Sequence, residues 1–273
     1  MPMTPTPLGL VCLTLFFATG CSYPKVWREA EDSLELPTAG VKQLACTTMN
    51  GNIAVQAGPS AAAACQIKVK RRGGGEDATD AAAALAAIRV VHASADGQLT
   101  LGWEWSVPKQ HSWAASVSFA MVMPKDRAVQ LETSNGTISI AGVEAQLGAH
   151  TSNGSIKIEE CLGDWDVATS NGEIEATGTP SNVNLKTSNG SIMAKLATKG
   201  PVNGKLKTSN GRVDLSLAAQ ASTRVKAETS NGSITSEGDW KVHDKGKTHL
   251  DASRQGGTGT LLVDTSNGSI RIE

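Results

Sequence analysis

Apolar and polar residues alternate with a period of two along most of this chain, in short runs that come in pairs. Val129 and Leu131 precede one punctuation point and Ile138 and Ile140 follow it; Leu147 and Ala149, then Ile156 and Ile158, flank the next. Trp165 and Val167 with Ile174 and Ala176, and Val183 and Leu185 with Ile192 and Ala194, continue the series. A period of two marks half-buried strands. Between the two members of each pair stands one hexapeptide, "TSNGSI" or a close variant. Its threonines at 133, 151, 169 and 187 are spaced by 18, Thr208 and Thr229 follow at 21, and Thr265 comes 36 later, twice 18. "TMNGNI" from Thr48 is an early relative. A fixed period of this size marks a repeat architecture. Each unit reads as strand, Asn-Gly turn, strand, looser connection.

The turns are assigned to Asn50 and Gly51, Asn135 and Gly136, Asn153 and Gly154, Asn171 and Gly172, Asn189 and Gly190, Asn210 and Gly211, Asn231 and Gly232, and Asn267 and Gly268. Inward positions fall at even offsets before the Thr and odd offsets after it. A two-residue turn over Asn and Gly keeps them on one face, and both residues tolerate positive φ. Two all-β architectures satisfy the pattern. An antiparallel meander of hairpins needs a second layer over its apolar face, and residues 131–273 hold no amphipathic helix to supply one. A β-solenoid, or parallel β-helix, of about 18-residue coils covers its own core. It also stacks each Thr and Asn over its copy at about 4.8 Å, where side-chain ladders form. The solenoid is the preferred reading, with the meander as the alternative.

Ahead of the repeats the pattern changes. Residues 1–20 contain the apolar run "LGLVCLTLFF", signal-peptide length and too short to span a bilayer. It leads into "ATGC", which resembles a bacterial lipobox and makes Cys21 the lipidated mature N-terminus. Ser22 after it, by resemblance to sorting rules, points to the outer membrane. Residues 21–40 are polar and broken by Pro, and read as a tether. Residues 41–130 read as a β-rich opening region with one helix at about 77–88, capped by Asp77 or Thr79. "ACQIKVKRR" reads as a strand leaving into the loop "GGGED", and "RVVHASADGQLTLGWEWSV" as two strands around an Asp-Gly turn. Residues 131–273 form the repeat solenoid.

Composition narrows the function. The net charge of −1 gives no reason to expect nucleic acid as a partner. Cys46, Cys65 and Cys161 remain after the signal and Cys21, and Cys46 and Cys65 have the option of a disulfide in an exported protein. No Cys or His spacing suggests a metal, and no cofactor is implied. "TSNGSI" supplies no nucleophile and base pair, the five histidines are scattered, and no catalytic residue is assigned. "EECLGDWD" gathers Glu159, Glu160, Asp164 and Asp166 at one connection; a solvated loop is preferred over a calcium site or paired acids for glycan cleavage. Trp103 and Trp105 share a face with Leu99 and Leu101, so they are expected to face the core rather than sugars. Lys68, Lys70, Arg71 and Arg72 are expected to face water, with lipid headgroups as the alternative.

The segments "MNGNIAV", "VMPKDRAVQLETSNGTISI" and the run of "TSNG" units to "TSNGSIRIE" resemble the DUF4097 β-strand-repeat family of bacterial envelope proteins, called "putative adhesin", across residues 40–273. The resemblance implies an exported β-repeat protein linked to adhesion or envelope stress, and it carries no catalytic residues. The expected protein is therefore a non-enzymatic, lipid-anchored envelope protein that presents a rigid surface to a glycan or protein, with the membrane as partner through its lipid. An envelope-stress sensor and a β-helix polysaccharide-processing enzyme are the alternatives. The final strand "SIRIE" is expected to be an open edge able to pair with another copy.

Overall fold

The structure is a computed structural model and describes residues 24–273. β1 (Val26–Pro37), β2 (Gln43–Asn50), β3 (Ile53–Gly58) and β4 (Ala64–Gly75) lead to a helix, α1 (Ala78–Ala87), followed by β5 (Ile88–Ala95), β6 (Gln98–Trp105) and β7 (Ala114–Pro124). The repeats then form β8 (Ala128–Asn135), β9 (Ile138–Ala141), β10 (Leu147–Asn153), β11 (Ile156–Asn171), β12 (Ile174–Lys186), β13 (Ile192–Leu196), β14 (Asn203–Asn210) and β15 (Val213–Leu217). The chain closes with β16 (Thr223–Asn231), β17 (Ile234–Ser236), β18 (Lys241–Lys245), β19 (His249–Arg254), β20 (Gly259–Asn267) and β21 (Ile270–Ile272).

Successive coils pair in parallel with like residue opposite like. Thr151 faces Thr169, Leu147 faces Trp165, Ile156 faces Ile174, and Ile174 faces Ile192. The fold is therefore a solenoid, and the antiparallel meander is excluded for the repeats. Leu131, Ala149, Val167, Leu185, Leu206, Val263 and Ala227 line one inner wall, and Ile138, Ile156, Ile174, Ile192, Val213 and Ile270 the other; none is more than 1% exposed. Burying one such aliphatic side chain contributes ~1.5–3 kcal/mol. That is why the inward positions repeat while the outward ones drift.

The order of coils in space is not their order in sequence. β2 and β3, the first coil of the chain, lie between β6 and β7 on one side and β8 and β9 on the other. β20 and β21, the last coil, lie between β14 and β15 on one side and β16 and β17 on the other. Both terminal coils are thus interior. Antiparallel strands close the ends: β4 pairs with β7 and β1 with β4, β5 pairs with β6, and β19 with β18 extends β16.

Residues 26–37 of the expected tether are strand β1, bonded along its whole length to β4. Its charges hide an alternation that ends in Leu34 and Leu36 against the core, and they suit an edge strand, where charge discourages further pairing. Asp32 and Glu29 take up the basic cluster: Arg71 Nε lies 2.6 Å from Asp32 and Lys70 Nζ 3.1 Å from Glu29. "GGG" is not a loop but the end of β4, and its glycines let α1 lie directly on the strand. A Cβ at Gly73 would sit 2.2 Å from the Leu85 backbone nitrogen. Asp77 caps α1, accepting from the Thr79 and Asp80 amides. The expected open edge at "SIRIE" does not exist either, because β21 is hydrogen-bonded to β15 and to β17. Cys21 and the apolar leader lie outside the described residues.

Candidate binding surface

The hexapeptide makes one corner of every coil, and each of its residues has a separate task. The Thr side chain is buried and donates to the Gly carbonyl of the neighbouring coil: Thr133 to Gly51 at 3.0 Å, Thr151 to Gly136 at 3.1 Å, Thr169 to Gly154 at 2.9 Å and Thr187 to Gly172 at 3.0 Å. Thr208, Thr265 and Thr229 repeat the bond to Gly190, Gly211 and Gly268. At the first corner no coil of this type lies below, so Thr48 donates to Val117 instead and receives the Trp103 indole N–H at 3.2 Å.

The Asn side chains form an unbroken amide rail. In spatial order it runs Asn50, Asn135, Asn153, Asn171, Asn189, Asn210, Asn267, Asn231, each Nδ2 donating to the Oδ1 before it at 2.7–2.9 Å. The Gly amides bond in the opposite sense, Gly136 to the Asn153 carbonyl and Gly154 to that of Asn171, both at 3.0 Å. Backbone and side-chain dipoles at the corner therefore run in opposite directions along the stack.

The structure gives a different reason for the glycines than turn geometry. None of the eight asparagines has positive φ, and of the eight corner glycines only Gly51 and Gly154 do, with φ of 151° and 158°. The corners are bends between two parallel layers, not hairpins. Gly is required because the coils touch there: a Cβ at Gly136, Gly154 or Gly172 would lie 2.0 Å from the carbonyl oxygen of the glycine below. The positive-φ hairpin signature is found elsewhere, at Asp96 and Gly97 between β5 and β6, with φ of 51° and 77°.

What remains outward at the corner is a ridge. Ser134, Ser152, Ser170, Ser230 and Ser266 are exposed, Ser188 and Ser209 half-buried, the exposed Met49 takes the serine's place at the first corner, and the exposed Asn rail runs beside them. A second row follows the glycines: Asn52, Thr137, Ser155, Glu173, Ser191, Arg212, Ser269 and Ser233 in spatial order. Only Glu173 and Arg212 are charged. Eight corners at about 4.8 Å per step give a ridge about 34 Å long. It presents hydroxyls and amides at a constant interval on a backbone that cannot rearrange without breaking the core.

The other candidate groups do not converge. Glu159 pairs with Lys157 at 2.8 Å, while Asp164 and Asp166 accept from Asn182 and Asn184 of the next coil at 2.8 and 2.7 Å. "EECLGDWD" is thus a second bend within β11, with Glu160 and Gly163 at positive φ and Cys161 buried, rather than a loose loop. Trp103 and Trp105 pack against the core, and Trp105 continues onto Trp113, whose indole donates to Asp80 at 2.6 Å. Cys46, Cys65 and Cys161 are free and buried. Burial pushes the Cys65 thiol up to about 11 and raises Cys46 further, with the neighbouring Cys65 adding to it. His150 lies 3.6 Å from Asp166. Among the described residues no cluster of His, Cys, Asp or Glu is arranged to hold a metal ion, and no helix is long and apolar enough to cross a membrane.

The family model described as Toastrack DUF4097 matches residues 14–273. Among solved structures, a Clostridium sporogenes protein called a "putative cell adhesion protein" is 12% identical, with 90% of this chain and 99% of that chain covered at a TM-score of 0.40. A Bacteroides fragilis protein called a "putative adhesin" is 11% identical, with 90% of this chain and 97% of that chain covered at a TM-score of 0.41. No curated protein matches the chain.

Proposed function

The chain belongs to the Toastrack DUF4097 family, and from that premise we propose that it is a non-enzymatic, exported envelope lipoprotein whose serine and asparagine ridge binds a surface glycan. The observation that carries this reading is the ridge itself. It is polar, almost uncharged and regular over the seven corners that carry serine, which suits many weak hydrogen bonds to a neutral polyhydroxyl chain. Such contacts are individually weak and gain affinity through their number. A rigid scaffold adds to this, because little conformational freedom is lost on binding.

Lipidation of Cys21 would hold the protein at a membrane, at the outer membrane by the sorting reading of Ser22. β1 begins only five residues after Cys21, a reach of at most ~18 Å. The end of the stack that carries β1 and β5 would therefore lie close to the bilayer, with the rest of the ridge beyond it. Labelling with a palmitate analogue is expected for the native chain and is expected to vanish in Cys21→Ala; equal labelling of both would remove the anchor.

The binding reading is tested with the full chain on glycan and whole-cell panels, alongside Ser152→Arg/Ser170→Arg. These side chains point to solvent, so the variant is expected to keep its melting temperature while losing glycan binding at least tenfold. Undiminished binding by the variant would move the site off the ridge.

A further inference from the structure

The coil Gly259–Ile272 fills a slot whose two walls are both built from residues that precede it. On one side Leu206 faces Val263 and Thr208 faces Thr265; on the other Ala227 faces Val263 and Thr229 faces Thr265. β21 is clamped in the same way by Val213 and Ile234, both opposite Ile270. Leu261, Val263, Ile270 and Ile272 are fully buried. Without this coil the two walls would face each other across a gap one coil wide, each with a row of unpaired backbone groups and an open core. Unpaired edges of this kind are templates for another strand.

The segment that delivers the coil has the character of a hinge. Arg254, at the end of β19, is buried, donates to the Leu217 carbonyl at 3.0 Å and lies 4.1 Å from the Trp240 ring centroid. Gln255, Gly256 and Gly257 follow with φ of 47°, 86° and 63°, three left-handed residues in succession. Gln255 is one of three such non-glycine residues among those described, and that conformation is strained for it. A fixed anchor followed by a strained, solvent-facing connection is the arrangement in which a terminal element can be handed to another molecule.

The corner chemistry supplies the register. Thr265 donates to Gly211, Asn267 to Asn210, Asn231 to Asn267 and Thr229 to Gly268. Nothing in these bonds distinguishes the chain's own coil from the same coil of a second copy.

We propose that Gly259–Ile272 is an exchangeable coil: a second copy of this chain inserts its own coil into the slot and receives one in return, giving a closed, two-fold dimer hinged at residues 255–258. This inference is independent of what the ridge binds. It differs from pairing at a free edge, since the contact surface exists only while the slot is open, during folding or after partial unfolding.

Lys207 and Asp264 are register neighbours on adjacent strands with outward side chains, and neighbouring strands lie about 4.8 Å apart, within disulfide reach. Full-length Lys207→Cys and Asp264→Cys are mixed, unfolded together, refolded at high concentration and oxidised, and the linked peptides are mapped. The expected result is a covalent dimer linked between positions 207 and 264, whose yield rises with concentration and falls at least tenfold when the two proteins are folded separately before mixing. The double variant Lys207→Cys/Asp264→Cys reports that the site is formed, by closing the same link within one chain. Closure in the double variant with no intermolecular 207–264 link in the mixture would overturn exchange. Failure of the double variant to close would remove the register and the proposal with it.

Discussion

At the scale of single residues, one motif combines three different constraints. Thr satisfies a buried Gly carbonyl, Asn continues the amide rail, and Gly yields the space in which two backbones touch. These make separable predictions. Gly172→Ala places a Cβ 2.0 Å from the Gly154 carbonyl oxygen, where only backbone displacement relieves the contact; a loss of about 3 kcal/mol or more is expected. Asn171→Ala removes one donated and one accepted rail bond at an exposed site, for about 1–2 kcal/mol. Ser170→Ala touches neither and should stay within about 0.5 kcal/mol. Denaturant unfolding of the three variants checks the ranking; Gly172→Ala as mild as Ser170→Ala would mean that the coils are not in contact at the corner. The ladder of Thr and Asn was legible in the sequence from their repetition. The task of the glycine was not. "Asn-Gly" is also a hairpin signal, and only the approach of a coil 18 residues away separates close contact from positive φ.

At the scale of elements, what the sequence conceals are the strands whose partners lie far off. β1 reads as a polar tether because an edge strand needs only one apolar face and carries charges on the rest; its pairing with β4 is invisible locally. The interval of 36 between Thr229 and Thr265 is twice the 18-residue repeat, and residues 131–273 read as solenoid throughout. In fact residues 241–254 leave the solenoid as the antiparallel pair β18 and β19, and the chain then returns to a slot behind β16. The interior position of β20 and β21 makes a sharp prediction. A chain ending at Thr258 loses a middle coil, not a cap, and should expose two edges at once. It is expected to lose cooperative thermal unfolding and to aggregate by light scattering, whereas a monomer with an unchanged melting temperature would place that coil at the end of the stack.

At the scale of the whole molecule, the first and last coils are both interior and the solenoid is finished by antiparallel strands rather than by bare coils. Repeat arrays need such caps, since each unit contacts only its neighbours and the last would otherwise expose its core. The ridge gains its regularity from this arrangement: eight corners lie in one file although they are drawn from residues 48 to 268 out of order. The 18-residue period was enough to predict coils, and the apolar pairs were enough to predict which way they face. The sequence of coils in space was beyond it, because every corner carries the same residues and any one of them fits beside any other. The spatial order of the coils is therefore the feature to measure. Spin labels at Ser134, Ser230 and Ser266 report it by pulsed electron resonance. Ser266 stands five steps along the rail from Ser134 and Ser230 six, so separations of about 24 Å and about 29 Å are expected at about 4.8 Å per step. The later residue should be the nearer one, and a longer distance to Ser266 than to Ser230 would contradict it.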